Sequence, residues 1–128
     1  MPISHIAIWT IEIEKMNAFY RRYFRMVSNE KYTNEAKGFC SYFLSSEEGP
    51  RLELMHRNDI RTDAAGGIER PGLAHVAFSV GSKERVDALT RELKQDGYTV
   101  IDGPRQTGDG YYESVVLDPE ENRIEITI

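Results

Sequence analysis

A short segment occurs twice, and that doubling restricts the fold more than any other feature. Ser4-His-Ile-Ala-Ile8 near the start returns as Ala74-His-Val-Ala-Phe78, seventy positions later. Each copy is answered downstream by a strand-like run with a central glutamate, Arg51-Leu-Glu-Leu-Met55 and Arg123-Ile-Glu-Ile-Thr127. Glu53 follows His5 by 48 positions, and Glu125 follows His75 by 50. An internal repeat at near-constant spacing means one supersecondary unit built twice.

Periodicity supplies the unit. Ile3 to Trp9 alternates and is rich in β-branched and aromatic side chains, which predicts a strand with Ile6 and Ile8 on one face and His5, Ala7 and Trp9 on the other. Over residues 12–25 the period changes. Met16, Phe19, Tyr20, Tyr23 and Phe24 fall at helical spacing, with Glu12 and Glu14 early and Arg21, Arg22 and Arg25 late, matching the helix dipole. A weak strand is expected over 28–33, a turn at Lys37-Gly38, a strand over 39–44, a turn over 46–50 and a strand over 51–56. Residues 57–72, with Gly66-Gly67 and Pro71-Gly72, read as a linker.

The second half repeats the order. It runs as a strand over 73–80, a helix capped by Ser82 and stopped by Gly97 with Val86, Leu89 and Leu93 as its apolar stripe, and a strand over 98–101. A turn at Asp102-Gly-Pro104, a loop tip at 108–110, and strands over 112–117 and 123–128 complete it. The expected fold class is therefore α+β: one domain of two tandem βαβββ modules, residues 1–56 and 73–128, joined by the linker 57–72. In all four repeat-defining strands the His or Glu lies opposite the apolar face. Closure of the two halves around that surface would bring His5, Glu53, His75 and Glu125 together.

Two imidazoles and two carboxylates form a borderline-hard set suited to a divalent Zn, Ni, Co, Mn or Fe ion, with positions left open for substrate oxygens. Singly, each His reads as a hydrogen-bonded strand residue and each Glu as a solvent-facing one. As a matched quartet they read as metal ligands, because Glu is depleted in strands and here is central in two of them. Ala7 and Ala77 lie two positions beyond each His, leaving room on the same face.

Composition excludes other classes. The 128 residues carry a net charge of −5 with no basic run, which argues against nucleic acid as a partner. One cysteine, Cys40, fits a reducing, cytoplasmic setting and reads as structural. The first residues enter a strand pattern directly, so neither a signal peptide nor a membrane span is expected. His56 reads as a surface residue. Arg57, Arg105, Tyr111 and Tyr112 lie near loop ends where an anionic substrate would be held.

The pieces His5-Ile-Ala-Ile, the Ile13 to Phe24 helix with Phe19-Tyr20, Arg51-Leu-Glu-Leu, Gly72-Leu-Ala-His75-Val-Ala-Phe-Ser-Val and Asp118-Pro-Glu-Glu-Asn-Arg-Ile-Glu125 together resemble the vicinal oxygen chelate superfamily. Within it, the His–Glu–His–Glu order most resembles lactoylglutathione lyase (glyoxalase I). The resemblance implies a metal-dependent isomerisation. The hemithioacetal of a 2-oxoaldehyde, methylglyoxal, with glutathione or another thiol would become a 2-hydroxyacyl thioester through an enediolate.

On that reading His5, Glu53, His75 and Glu125 hold a divalent ion, Ni, Zn or Co. Glu125 is the base, Glu53 its carboxylate partner, and glutathione the co-substrate. A homodimer acting on a small molecule is implied. Trp9 stands where glutathione-binding members often carry a basic residue, Asn58 lies near the position of a glutathione-holding Asn, and Glu121 replaces a frequent Gly in the last turn. Alternatives on the same scaffold are an epimerase, a three-ligand dioxygenase, or a non-catalytic binding or resistance protein.

Overall fold

Helix α1 (Ile13–Tyr23) forms because its apolar residues share one stripe, and burying that stripe stabilises it far more than helix propensity does. Met16 and Tyr20 are fully buried, with Ile13, Phe19 and Tyr23 beside them. They cover one face of a sheet whose Leu44, Leu52 and Leu54 are equally buried. A computed structural model describes residues 3–61, 73, 75–108 and 110–128, and it divides into two units, Met1–Gly66 and Gly67–Ile128.

The first unit holds β1 (His5–Trp9), α1, β2 (Val27–Ser28), β3 (Tyr32–Asn34), a 3₁₀ turn, β4 (Phe39–Ser45) and β5 (Arg51–Arg57). Its sheet runs β1-β5-β4-β2, and β3 also pairs with β4. The expected strand over 28–33 is thus two short strands on one edge of β4, pairing with its two ends. Strands β1 and β5 are parallel, with Ile6 beside Leu52, Ala7 beside Glu53 and Ile8 beside Leu54. Period-2 alternation then fixes the faces: the leucines turn to α1, and His5, Ala7, Trp9, Glu53 and Met55 turn away. Tyr42 and Lys31 both hydrogen bond to the Glu14 carboxylate, tying the helix to the sheet edge. The Lys31 ammonium holds the Glu14 carboxyl below its ordinary value.

The second unit holds β6 (Val76–Ser79), α2 (Lys83–Gln95), β7 (Val100–Gln106), β8 (Tyr112–Leu117) and β9 (Arg123–Thr127), in sheet order β6-β9-β8-β7. Ser82 caps α2 by accepting from the Arg85 amide. Val86 and Leu93 bury against a sheet whose Val116, Ile124 and Ile126 are likewise buried. Leu89, expected on the stripe, is only half-buried, and Thr90 takes the inner position instead. Its hydroxyl donates to the Val86 carbonyl at 2.6 Å and meets the Ser114 hydroxyl at 2.6 Å, so both buried oxygens are satisfied.

The architecture is the expected α+β one, with two sheets and one helix on each. Two further expectations change in detail. Strand β6 starts at Val76, so His75 stands one residue before it. The turn expected at Asp102-Gly-Pro104 lies inside β7, which passes through it by register shifts against β8 between Val100 and Asp102 and between Asp102 and Arg105. Pro104 is tolerated there because β7 is an edge strand, where a missing amide donor breaks no ladder. Ala74, and the linker glycines and Pro71, lie outside the described residues.

The turn from β8 to β9 decides how Glu125 is presented. Asp118 is buried, and its carboxylate accepts from the amides of Glu120 and Asn122, both at 2.9 Å, and from the Asn122 side chain at 2.8 Å. Glu121 takes the left-handed conformation there, at φ 66°, that a glycine would otherwise supply. Asp118→Ala removes three acceptor contacts at once and is expected to cost about 1–3 kcal/mol, read as a lowered denaturation midpoint. A midpoint unchanged from the parent would mean the turn is held by backbone alone.

Candidate metal centre

Each unit presents the same small constellation on the sheet face its helix does not cover. In the first, the Nε2 of His5 lies 3.6 Å from the Oε2 of Glu53. In the second, the Nε2 of His75 lies 3.2 Å from the Oε2 of Glu125. The cause is the register. Ala7 pairs with Glu53 and Ala77 with Glu125, so each His stands two residues before the alanine that faces its Glu. A methyl group beside each carboxylate lets the imidazole lean diagonally along the strand to reach it. Both histidine side chains are 41% exposed, whereas Glu53 and Glu125 are 15% and 21% exposed. The pairs are reachable from solvent, with the carboxylates the more sheltered members.

The donors suit a cation. With metal–nitrogen and metal–oxygen bonds of about 2.1 Å, two donors on one ion stand roughly 3.0 Å apart at a right angle and 3.4 Å apart at the tetrahedral angle. The observed 3.6 and 3.2 Å separations fall close to that range. An ion pair alone would account for either distance. Its duplication at matching register, with N and O donors facing each other twice, is what fits a half-site. Among the described residues no group of three or more His, Cys, Asp or Glu side chains gathers. The structure thus brings His5 to Glu53 and His75 to Glu125, each within its own unit.

The supports of the two pairs differ, and sequence reading overlooked them. Phe43 pairs with Glu53 across the ladder and meets the His5 ring edge-on at 5.5 Å. The Ser4 hydroxyl lies 3.3 Å from His5 Nδ1. At the positions of Phe43 and Ser4 the second unit has Val115 and Ala74. Arg51 stands beside His5 in the register, with its guanidinium 4.5 Å from the centre of the Phe43 ring. The one usable sequence signal was a second repeat inside the first: an Arg two positions before each Glu.

Other residues singled out from sequence lie apart from the pairs. His56 is half-buried, not a surface residue; its Nδ1 donates to the Thr10 carbonyl at 2.9 Å. Cys40 pairs with His56 in the ladder and lines an open cleft of about 310 Å³ with Lys31, Thr33 and Asn58. None of the four candidate ligands borders that cleft. Asn58 packs over Gly38, where a Cβ would strike its side chain, and its amide donates to the Gly38 carbonyl. Arg105 is paired with Asp102 at 2.7 Å, and the Tyr112 hydroxyl donates to Asp87 at 2.6 Å. Among the described residues, no helix is long and apolar enough to cross a membrane.

Comparison with known proteins agrees with this layout. A family model described as the Glyoxalase/Bleomycin resistance protein/Dioxygenase superfamily matches residues 2–126. The protein YqjT of Bacillus subtilis (strain 168) is 26% identical over 134 residues, covering 97% of this chain and 96% of its own length. A glyoxylase/bleomycin resistance protein/dioxygenase domain from Frankia sp. EAN1pec superposes with a TM-score of 0.83 at 17% identity, covering 100% of this chain and 97% of that one. The trypanothione-dependent glyoxalase I of Leishmania major superposes with a TM-score of 0.75 at 18% identity, covering 99% and 86%. At those identities the two structures establish likeness of fold.

Proposed function

Since the chain belongs to the Glyoxalase/Bleomycin resistance protein/Dioxygenase superfamily, we propose that it is a metal-dependent isomerising lyase of the glyoxalase I type. Its substrate is the hemithioacetal of a 2-oxoaldehyde, such as methylglyoxal, with glutathione or another thiol, and its product is a 2-hydroxyacyl thioester. The observation that carries this reading is the doubled His–Glu pair, 3.6 Å and 3.2 Å between donor atoms, on matching adjacent strands.

His5 and Glu53 in the module 1–56, and His75 and Glu125 in the module 73–128, would each offer two ligands to a divalent ion, Ni, Zn or Co. When bound, that ion supplies Lewis-acid stabilisation of the oxygen on which negative charge builds as the carbon-bound proton leaves. Glu125 accepts that proton from the carbon bearing sulfur. The same carboxylate, or Glu53, returns it to the neighbouring carbon, so atoms balance as an internal oxidation–reduction with no outside oxidant. Sheltering of both carboxylates, relative to the histidines, limits exchange of the carried proton with bulk water. Val115, beside Glu125 in the ladder, keeps that side of the base apolar. The protein works as a homodimer in the cytoplasm.

The test is elemental analysis of the purified full chain with a methylglyoxal–glutathione assay for thioester formation. We expect about one divalent ion per chain, loss of activity on chelation and its return on adding Ni, Zn or Co. A chain that binds no ion and forms no thioester would instead be a binding protein on the same scaffold.

A further inference from the structure

The two units agree at some positions of their open faces and part at others. His5 and His75, Ala7 and Ala77, Arg51 and Arg123, and Glu53 and Glu125 are identical pairs. One ladder row further along, they diverge. In the first unit that row is Trp9, Met55, Ser41 and Tyr32, running from β1 across β5 and β4 to β3. In the second it is Ser79, Thr127 and Glu113. Residues that the units share serve what both must do, so the ones that differ are free to recognise something only one unit meets.

What the first unit offers there is ring surface. Trp9 is 44% exposed and Tyr32 54% exposed. Phe39 links them, edge-on to Trp9 at 6.3 Å and tilted against Tyr32 at 6.2 Å, with the Met55 side chain in the row between Trp9 and Ser41. Arg57 lies 5.2 Å from the centre of the Trp9 ring, and its Nε donates to Asp59. The guanidinium is therefore already answered by a carboxylate, and the surface complements a flat apolar group better than an anion. Trp9 and Met55 stand one row from Ala7 and Glu53, about 7 Å along the strands, so one small molecule can span both.

We propose that the Trp9–Met55–Phe39 end of the first unit's open face seats an aromatic group of the substrate, and so selects what reaches the His5–Glu53 pair. This rests on the reading that the open faces handle substrate, but its test needs no turnover. Trp9 is the sole tryptophan of the chain, so its emission reports on this row alone.

The probes are two unreactive thioether acids, (benzylthio)acetate and (methylthio)acetate, titrated into the full chain. The benzyl compound should shift Trp9 emission saturably, with a Kd about tenfold or more below that of the methyl compound. Followed by calorimetry, Trp9→Ser, which installs the second unit's residue, should erase that preference, and Trp9→Phe should keep most of it. Equal affinities for the two probes, no saturable response to the benzyl compound, or an undiminished preference in Trp9→Ser would each overturn the assignment. The assay separates the two readings. A chain that prefers the benzyl probe yet forms no thioester fails the proposed reaction only. An active chain with no preference fails this inference only.

Discussion

Glu125→Gln is expected to lower thioester formation by about two to four orders of magnitude, the range that a positioned general base supplies. The amide keeps the shape of the side chain and its place in β9 opposite Ala77 and Val115, but it has no basic oxygen with which to hold a proton. Exchange of the substrate's carbon-bound proton with deuterated solvent should fall with turnover, while the circular dichroism spectrum stays that of the parent. Glu53→Gln separates the roles: if Glu53 only holds the ion or returns the proton, exchange should survive better there than in Glu125→Gln. Full isomerase activity in Glu125→Gln would take Glu125 out of the chemistry.

The second large effect lies beneath the site. Ile124 and Ile126 flank Glu125 on β9, and both are fully buried on the helix side. Ile124→Ala leaves a cavity beside Val116, its ladder partner, in the buried layer of the second unit, or forces that layer to shift, at a cost of about 2–5 kcal/mol in equilibrium denaturation. Val115→Ala, on the opposite face and only half-buried, should cost less than half as much in the same measurement. Equal losses would mean that the open face of the second unit is as tightly covered as its core.

Much of the fold was legible because burial imposes periods. The α1 stripe of Met16, Phe19, Tyr20 and Tyr23 and the alternation in β5 and β9 follow from covering one side of a sheet. What failed did so where a local cue competed with pairing. Asp102-Gly-Pro104 has a turn's composition, yet β7 runs through it because hydrogen bonds to β8 resume on either side of the register shifts. Leu89 belongs to the stripe by spacing, but Thr90 is buried because Ser114 across the interface completes its hydroxyl. Phe43 was missed because it reaches the first pair as the ladder partner of Glu53, and partners ten residues apart leave no pattern in the chain; Ser4 was passed over because the second copy of the repeat has Ala74 in its place.

Sequence alone determined that a βαβββ unit is made twice and that each copy sets one His and one Glu opposite its apolar face. Those follow from periods of 2 and 3.6 residues and from the repeat itself. Only the tertiary structure decided the register, Ala7 against Glu53 and Ala77 against Glu125, which brings each imidazole to its carboxylate. Register belongs to two strands held together by hydrogen bonds across some fifty residues of intervening chain, and no single stretch encodes it.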